Sequence, residues 1–155
     1  MTDLEEKAFI FGTIFVLSNK LQLLGDQMDR RLSAKQWLLL AGILKSGSAA
    51  PTVGELAALI GSSRQNVKKM ALILEKAGFV TLQKDPGDAR MLRISPTQTC
   101  AAHLRTREEK ELRFLESLFA GFDPDELPAF SRALAKLKQN VQEMEKQHDR
   151  EEEED

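Results

Sequence analysis

Residues 52–96 read TVGELAALIGSSRQNVKKMALILEKAGFVTLQKDPGDARMLRISP, and this stretch decides the fold. Its first part, Val53–Ile60, is apolar with a helical period and is predicted to form a short helix. Gly61–Ser62 provides a tight turn, because glycine readily takes the left-handed conformation that a helix end needs. A second helix is predicted over about Ser63–Ala77, with Gly78 as its left-handed cap.

A β-hairpin is predicted directly after the second helix. Phe79–Lys84 and Met91–Ser95 are short strand-like segments, and the Pro-Gly-Asp sequence within Asp85–Arg90 is typical of a turn between strands. A helix, a short turn, a second helix and a hairpin in this order form a winged helix-turn-helix, in which the hairpin is the wing. The positions predicted to face its core are Leu56, Ala57, Ile60, Val67, Met70, Ala71 and Leu74.

Four further helices are predicted outside this stretch, and several helix starts carry capping signals. These helices span about Asp3–Leu24, Ala34–Lys45, Pro96–Phe119 and Pro124–His148, and they are helices 1, 2, 5 and 6 in chain order. Helix 2 is apolar on nearly every side, which predicts a central position. Capping-box spacing occurs at Thr2/Glu5, Ser33/Gln36, Thr52/Glu55, Ser62/Gln65 and Asp123/Glu126.

The composition is that of an ordinary soluble domain. The 155 residues are 42% hydrophobic and 30% charged, and a chain of this size needs neither disulfides nor metal to fold. The longest apolar runs are far shorter than the ~20 residues that span a bilayer, and the first residues lack the pattern of a secretory signal. We therefore expect a cytoplasmic protein without a membrane segment.

The charge is unevenly distributed, although the net charge is only −2. Residues 143–155 contain eight acidic and two basic residues, so the rest of the chain carries +4. The stretch Arg64–Arg93 contains seven basic and three acidic residues. A local basic patch of this kind is what binding to nucleic-acid phosphates requires, although many enzymes carry one as well.

The exposed face predicted for the second helix carries side chains suited to DNA. The first turns of such a helix read base edges in the major groove, where Arg64 can pair with guanine and Gln65 or Asn66 with adenine. Lys68 and Lys69 are better placed for phosphates. Two short helices alone also occur as a purely structural hairpin, but the basic wing that follows favours DNA binding. The predicted DNA-binding residues are Ser62, Ser63, Arg64, Gln65, Asn66, Lys68, Lys69, Lys84, Asp88, Arg90 and Arg93.

The stretch Leu32–Val141 resembles the MarR family of bacterial regulators. LSAKQWLLL at Leu32–Leu40 is similar to the opening of the family's helix 2, TVGELAALIG to its scaffold helix, and SRQNVKKM with LEKAGFV to its recognition helix. The wing sequence DPGDARMLRISP at Asp85–Pro96 carries the most specific resemblance. LFAGFDPDEL at Leu118–Leu127 is similar to the family's turn into its last helix.

The resemblance implies a winged helix-turn-helix regulator. In the family an Asp-x-Arg element of the wing places an arginine in the minor groove, and by position these roles fall to Asp88 and Arg90. Leu72 and Ile73 stand where the family often has polar or basic residues, and Gln98 stands where it often has glycine. These departures leave the fold intact and make the operator less predictable.

The last predicted helix carries an apolar stripe at spacings of three and four residues, which must be buried against something. Helices 1 and 5 of the same chain can cover it, but we favour a second copy, because two-fold symmetric operators need a two-fold protein. The resemblance implies the same. The stripe comprises Leu127, Phe130, Leu134, Leu137, Val141 and Met144. The predicted dimerisation residues are Phe11, Phe15, Leu127, Phe130, Leu134, Leu137 and Val141.

Other interpretations have less support. No phosphate-binding glycine loop, nucleophile elbow or His-based catalytic set is present, so we expect neither an enzyme nor a cofactor. His103 and His148 are too few and too far apart for a zinc site. Cys100 can in principle sense oxidants, but a lone cysteine is more often inert. Trp37 is either a contact in a small-molecule effector pocket or a plain core residue. A protein-interaction module with the same fold is the main rival to DNA binding.

The predicted fold class is mainly α with a small β-hairpin wing, in one domain. A winged helix-turn-helix DNA-binding lobe at residues 33–96 joins a helical dimerisation lobe of helices 1, 5 and 6, at residues 1–32 and 97–148. Residues 149–155 are predicted to be an acidic, disordered tail. The predicted function is a sequence-specific transcriptional repressor that binds a pseudo-palindromic operator as a homodimer, with a small aromatic or anionic molecule as a possible effector.

Overall fold

The computed structural model describes residues 1–154, apart from the side chain of Glu154. Its elements are α1 (Asp3–Met28), α2 (Ala34–Lys45), α3 (Val53–Ile60), α4 (Arg64–Lys76), β1 (Val80–Lys84), β2 (Leu92–Pro96), α5 (Gln98–Leu118) and α6 (Glu126–Glu154). The chain is therefore mainly helical with one antiparallel hairpin, which confirms the predicted fold class. Contacts within the chain divide it into two compact units, Met1–Lys110 and a second that begins at Glu111. The predicted division into a DNA-binding lobe and a dimerisation lobe stays a prediction.

Reciprocal side-chain bonds at the helix starts confirm four of the five predicted capping boxes. In each of them the N-cap oxygen accepts from the N3 backbone N–H, while the N3 carboxylate or amide accepts from the N-cap N–H. The four pairs are Thr2/Glu5, Ser33/Gln36, Thr52/Glu55 and Asp123/Glu126. These local signals explain why the helix starts agree with the sequence pattern to within about two residues.

The fifth predicted box, at Ser62, is wrong, and α4 begins one residue later. Gly61 ends α3 in the left-handed conformation with φ +69°, and the Ser62 N–H donates to the Ala57 carbonyl at 2.9 Å. Ser62 thus completes the end of α3 and is not available as the next cap. Ser63 caps α4 instead, and its Oγ accepts from the Asn66 N–H at 3.1 Å.

The core of the first unit lies between the helix-turn-helix, α2 and the hairpin. Its fully buried side chains are Leu32, Leu39, Leu40, Ile43, Leu56, Ala57, Val67, Ala71, Leu74, Phe79, Val80, Ile94 and Cys100. Only one side of helix α2 packs into the core, because Trp37, Leu38 and Leu44 on the helix remain exposed. The two strands pair with Leu82 opposite Ile94. This register turns Ile94 into the core and directs the hairpin tip outward.

Helix α6 is longer than predicted. Residues 149–154, which were expected to be disordered, continue it to Glu154, while Asp155 lies outside the described residues. The segment contains four glutamates and one arginine, and both residue types favour helix. Lys146 donates to Glu143 at 3.0 Å, and His148 lies 3.1 Å from Glu152 one turn on. These pairs offset part of the like-charge repulsion that motivated the prediction of disorder.

Helix α1 is more apolar than expected, because no segment of the sequence was expected to resemble a membrane span. Among the residues that the structure describes, α1 alone is long and apolar enough to cross a membrane by length and composition, with a mean hydropathy of 1.4 over 18 residues. No uninterrupted apolar run in the sequence is long enough to span a bilayer. Helix α1 reaches this mean hydropathy because polar residues are interspersed among many apolar ones. Core helices of soluble proteins and signal sequences pass the same test, so it does not by itself place α1 in a membrane.

Candidate nucleic-acid interface

Helix α4 has one buried face and one polar, exposed face. Val67, Ala71 and Leu74 are buried, as the helical period predicts. On the opposite side the first turns expose Arg64 and Gln65, and the basic pair Lys68 and Lys69 follows one turn on. Packing of the apolar face against α3 and the hairpin therefore holds the polar face outward, in the orientation that groove binding requires.

Arg64 does not extend freely from α4 but folds back over the start of α3. A Cβ atom placed on Gly54 would lie 3.3 Å from Nε of Arg64 and 3.5 Å from its Cζ. The guanidinium thus lies against the backbone of Gly54. Only a residue without a side chain leaves this space open, and the sequence analysis did not identify Gly54 as part of the site.

A cleft of about 680 Å³ is lined by residues of α3, α4 and the wing. Its cationic side chains are Arg64, Lys68 and Arg90, and its one carboxylate, Glu55, accepts from the Thr52 N–H at 2.9 Å as part of a helix cap. The full lining is Thr52, Val53, Gly54, Glu55, Arg64, Gln65, Lys68, Arg90, Met91 and Leu92. A groove with three cations and one engaged carboxylate suits an anionic partner such as a phosphate backbone.

Asp88 holds Arg90 at the tip of the wing. Nε and Nη2 of Arg90 donate to the two carboxylate oxygens of Asp88 at 3.1 and 3.2 Å, and the Arg90 backbone N–H donates at 3.0 Å. These hydrogen bonds lower the pKa of Asp88 below its ordinary value. The side chain of Arg90 is nevertheless 91% exposed. This is the geometry that the Asp-x-Arg resemblance implies, with an oriented guanidinium that remains open to a ligand.

Arg93 differs from its predicted role as a DNA contact. Its Nε donates to Asp85 Oδ1 at 2.5 Å, and its Nη1 donates to the carbonyl of Ala50 at 2.9 Å. The hydrogen bond from Arg93 lowers the pKa of Asp85. Arg93 thus uses its donors inside the protein, because β2 places it beside the loop before α3. Asp85 and Ala50 were not identified from the sequence, although Asp85 two residues before a glycine is typical of a side-chain-stabilised turn.

The remaining predicted residues are distributed around the cleft. Asn66, Lys69 and Lys84 are exposed but do not line it, while Ser62 is half-buried and Ser63 caps α4. The residues predicted to bind DNA therefore include side chains on both walls of the cleft. The sequence pattern did not identify which cations share one cleft.

A second polar cluster lies in the first unit, away from the cleft lining. Asp29, at the end of α1, accepts at Oδ2 from His103 Nε2 at 2.6 Å and from Arg107 Nη1 at 3.0 Å, and all three side chains are almost fully buried. The ring of His103 also packs against Phe79, with centroids 5.3 Å apart. The sequence analysis considered His103 only as a metal ligand, and the structure gives it this structural partner instead.

The remaining candidates from the sequence are a metal site, Cys100 and Trp37. Within residues 1–154 no group of three or more His, Cys, Asp or Glu side chains is arranged to hold a metal ion. Cys100 is buried, and burial raises the pKa of its thiol, which disfavours the reactive thiolate. Trp37 is 39% exposed on α2, so it is not a plain core residue.

A family model matches part of the chain. Residues 32–91, which contain α2, the helix-turn-helix and the wing tip, match the model of the MarR family. This part of the chain is similar to MarR-family regulators.

Solved structures of MarR proteins share the fold. A MarR protein from Peptoclostridium difficile has a TM-score of 0.77 at 24% identity, over 85% of this chain and 86% of that one. A MarR/EmrR family regulator from Acinetobacter sp. ADP1 has a TM-score of 0.76 at 17% identity, over 92% and 99%. BpsR of Bordetella bronchiseptica, whose DNA binding is regulated by 6-hydroxynicotinic acid, has a TM-score of 0.70 at 19% identity, over 83% and 98%. No curated protein sequence matches the chain.

Proposed function

We propose that this protein is a MarR-family repressor that binds a pseudo-palindromic operator in double-stranded DNA as a homodimer. The observation that carries the proposal is the cleft in which Arg64, Gln65 and Lys68 of α4 face Arg90 of the wing. In this proposal α4 enters the major groove, where Arg64 and Gln65 meet base edges. Arg90 enters the adjacent minor groove, whose negative potential attracts arginine where it is narrow.

The homodimer is supported by two exposed apolar helices. None of the residues of α1 is buried, and Phe11 and Phe15 are 67% and 58% exposed. In α6 the predicted stripe is 37–65% exposed from Leu127 to Met144. Large unpartnered apolar surfaces on a soluble protein mark interfaces. A second copy is the partner that a two-fold symmetric operator requires.

An effector and a cytoplasmic location complete the proposal. A small aromatic or anionic molecule would lower the affinity for the operator, with Trp37 as a candidate contact. The support comes from BpsR, a neighbour of the same fold whose DNA binding 6-hydroxynicotinic acid regulates. A regulator that acts on chromosomal DNA is expected in the cytoplasm.

The rival function, a protein-interaction module that does not bind DNA, is disfavoured by the charges of the cleft. Such a module has no need for cations that face one another across a groove. Here Arg64 and Lys68 on the helix and Arg90 on the wing all line the same cleft.

Selection from a random duplex library, followed by affinity measurements, tests the proposal. The wild-type protein should enrich an inverted repeat with half-sites about one helical turn apart. On that operator Arg64→Ala should cost about 1–3 kcal/mol and relax preference at one base position. Arg90→Ala should weaken binding most where the minor groove is A·T-rich.

Lysine variants provide the controls. Lys68→Ala should lower affinity for operator and scrambled duplex alike and reduce the salt slope by about one unit. Lys136→Ala removes an exposed charge from α6 and should leave operator affinity unchanged. If Arg64→Ala and Arg90→Ala both bind the operator as tightly as the wild type, the proposed mode of binding is wrong and the interaction module becomes the better account.

A further inference from the structure

We propose that Arg93 and Asp85 are positioning residues for DNA binding, which hold the wing so that Arg90 is presented to the minor groove. Arg93 itself does not contact DNA in this proposal. The inference rests on the proposed function, because it assigns a role within the DNA complex. It replaces the expectation that Arg93 is one more basic residue on the binding face.

The first step is the anchoring of Arg93, which lies in β2 opposite Gln83. Its Nη1 donates to the carbonyl of Ala50 at 2.9 Å, and its backbone pairs with Thr52 in an isolated β-bridge. The next residue, Ile94, donates its N–H to the carbonyl of Pro51 at 2.9 Å. Arg93 is thus joined through side chain and backbone to the loop that leads into α3.

The second step is the connection from Arg93 to the wing turn. Its Nε donates to Oδ1 of Asp85 at 2.5 Å. The other oxygen, Oδ2, accepts from the N–H groups of Gly87 and Asp88 at 3.0 and 2.9 Å. One carboxylate therefore binds the anchored arginine on one side and the backbone of the turn on the other, so the position of Arg93 determines where the turn lies.

The third step is the contact between Asp88 and Arg90, the arginine that is proposed to enter the minor groove. Asp88, whose backbone is held by Asp85, accepts two hydrogen bonds from the side chain of Arg90. A continuous series of contacts therefore runs from Ala50 through Arg93, Asp85 and Asp88 to Arg90. Restricting an exposed arginine before binding reduces the conformational entropy that the complex loses, which increases affinity without any new contact to DNA.

Charge supports the same arrangement of the turn. The hydrogen bonds from Arg90 lower the pKa of Asp88, and the nearby charge of Asp85 opposes that lowering. The cation of Arg93 compensates Asp85, which stabilises the turn in the arrangement that presents Arg90. The benefit for DNA binding therefore depends on Arg90.

A double-mutant cycle on the selected operator separates positioning from direct contact. Arg90→Ala is expected to weaken binding about tenfold, and Arg93→Ala about fivefold through loss of pre-organisation. In the Arg90→Ala background, Arg93→Ala should cost less than about twofold. Arg93→Lys should recover part of the loss, because an ammonium can pair with Asp85 but cannot reach Ala50 as well. Asp85→Asn should reproduce the effect of Arg93→Ala.

Two readouts make the outcome decisive. The salt slope should be unchanged by Arg93→Ala, whereas loss of a phosphate contact would lower it by about one. In the free protein, hydrogen exchange of the Gly87 and Asp88 amides should accelerate in Arg93→Ala, while the amides of α4 should not change. If Arg93→Ala weakens operator binding by the same factor with Arg90 present and with Arg90→Ala, or if it lowers the salt slope, the inference is wrong. The proposed function would still stand. Failure of the wild type to select any DNA sequence would overturn both.

Discussion

At the scale of single residues, Gly54 controls where the guanidinium of Arg64 can lie. The guanidinium occupies the space of the missing side chain, only 3.3 Å from the position that a Cβ would take. A methyl group there must displace the end of Arg64 by a few tenths of an ångström. Because that end is flexible, the displacement costs the fold little, but it changes the position of a side chain that the proposed function needs.

Gly54→Ala is therefore expected to separate stability from binding. Alanine is favoured over glycine in a helix by up to about 1 kcal/mol, so urea unfolding should show equal or slightly higher stability. Operator affinity should fall about two- to fivefold, a fraction of the effect of removing a base-contacting arginine outright. Ala58→Gly, at an exposed position of the same helix, should do the reverse and lower stability without affecting affinity. An operator affinity unchanged in Gly54→Ala would show that Gly54 does not position Arg64.

At the scale of elements, Asp29 joins the end of α1 to α5. Burial alone would raise the pKa of Asp29, but hydrogen bonds from His103 and the Arg31 N–H, together with the charges of His103 and Arg107, lower it. A carboxyl whose pKa is lower in the folded chain than in the unfolded chain stabilises the fold above its unfolded pKa. That contribution is lost as the pH falls through the folded pKa.

Asp29→Asn should reveal this contribution. At pH 7 the variant should lose about 2–3 kcal/mol, because the nearly buried contacts of the Asp29 carboxylate with His103 and Arg107 are weakened. As the pH falls through the lowered pKa of Asp29, the carboxyl of the folded wild type becomes protonated and the two proteins should converge in stability. Urea unfolding across this pH range is the measurement. Asp3→Asn, which removes a surface partner of Lys7, is the control and should follow the wild type. A constant stability difference at every pH would contradict the electrostatic role.

The elements could be predicted from the sequence wherever their signals are local. Capping boxes lie within four residues of one another, and Gly78, with φ +84°, ends α4 as expected. Contacts between distant residues carry no comparable signal. Arg93 bonds to a carbonyl 43 positions away, and Asp29 bonds to side chains 74 and 78 positions away. The sequence therefore identified which face of α4 is polar, but it could not show that Arg93 is engaged within the protein.

At the scale of the whole molecule, the most prominent feature is apolar surface without a partner. Each of the two compact units contributes some of it. In the first unit α1 exposes apolar side chains along most of its length, and in the second α6 exposes a stripe at alternating spacings of three and four. Among the described residues of α6 none is buried. A stripe with this spacing matches the seam of a helix that packs along another helix.

Leu134→Asp tests whether a second copy covers this stripe. Leu134 lies in the middle of it and is 49% exposed in the single chain. In a dimer the introduced carboxylate would be buried without a partner, at a cost of several kcal/mol. One chain has a mass of 17.4 kDa, so light scattering at micromolar concentration should give about twice this mass for the wild type and a lower value for the variant. Gln139→Asp adds the same charge outside the stripe and should remain dimeric. In the proposed complex two subunits read two half-sites, so Leu134→Asp should also lose affinity for the full operator far more than for an isolated half-site. A wild-type mass of one chain, or equal behaviour of the two aspartate variants, would show that α6 does not form the dimer.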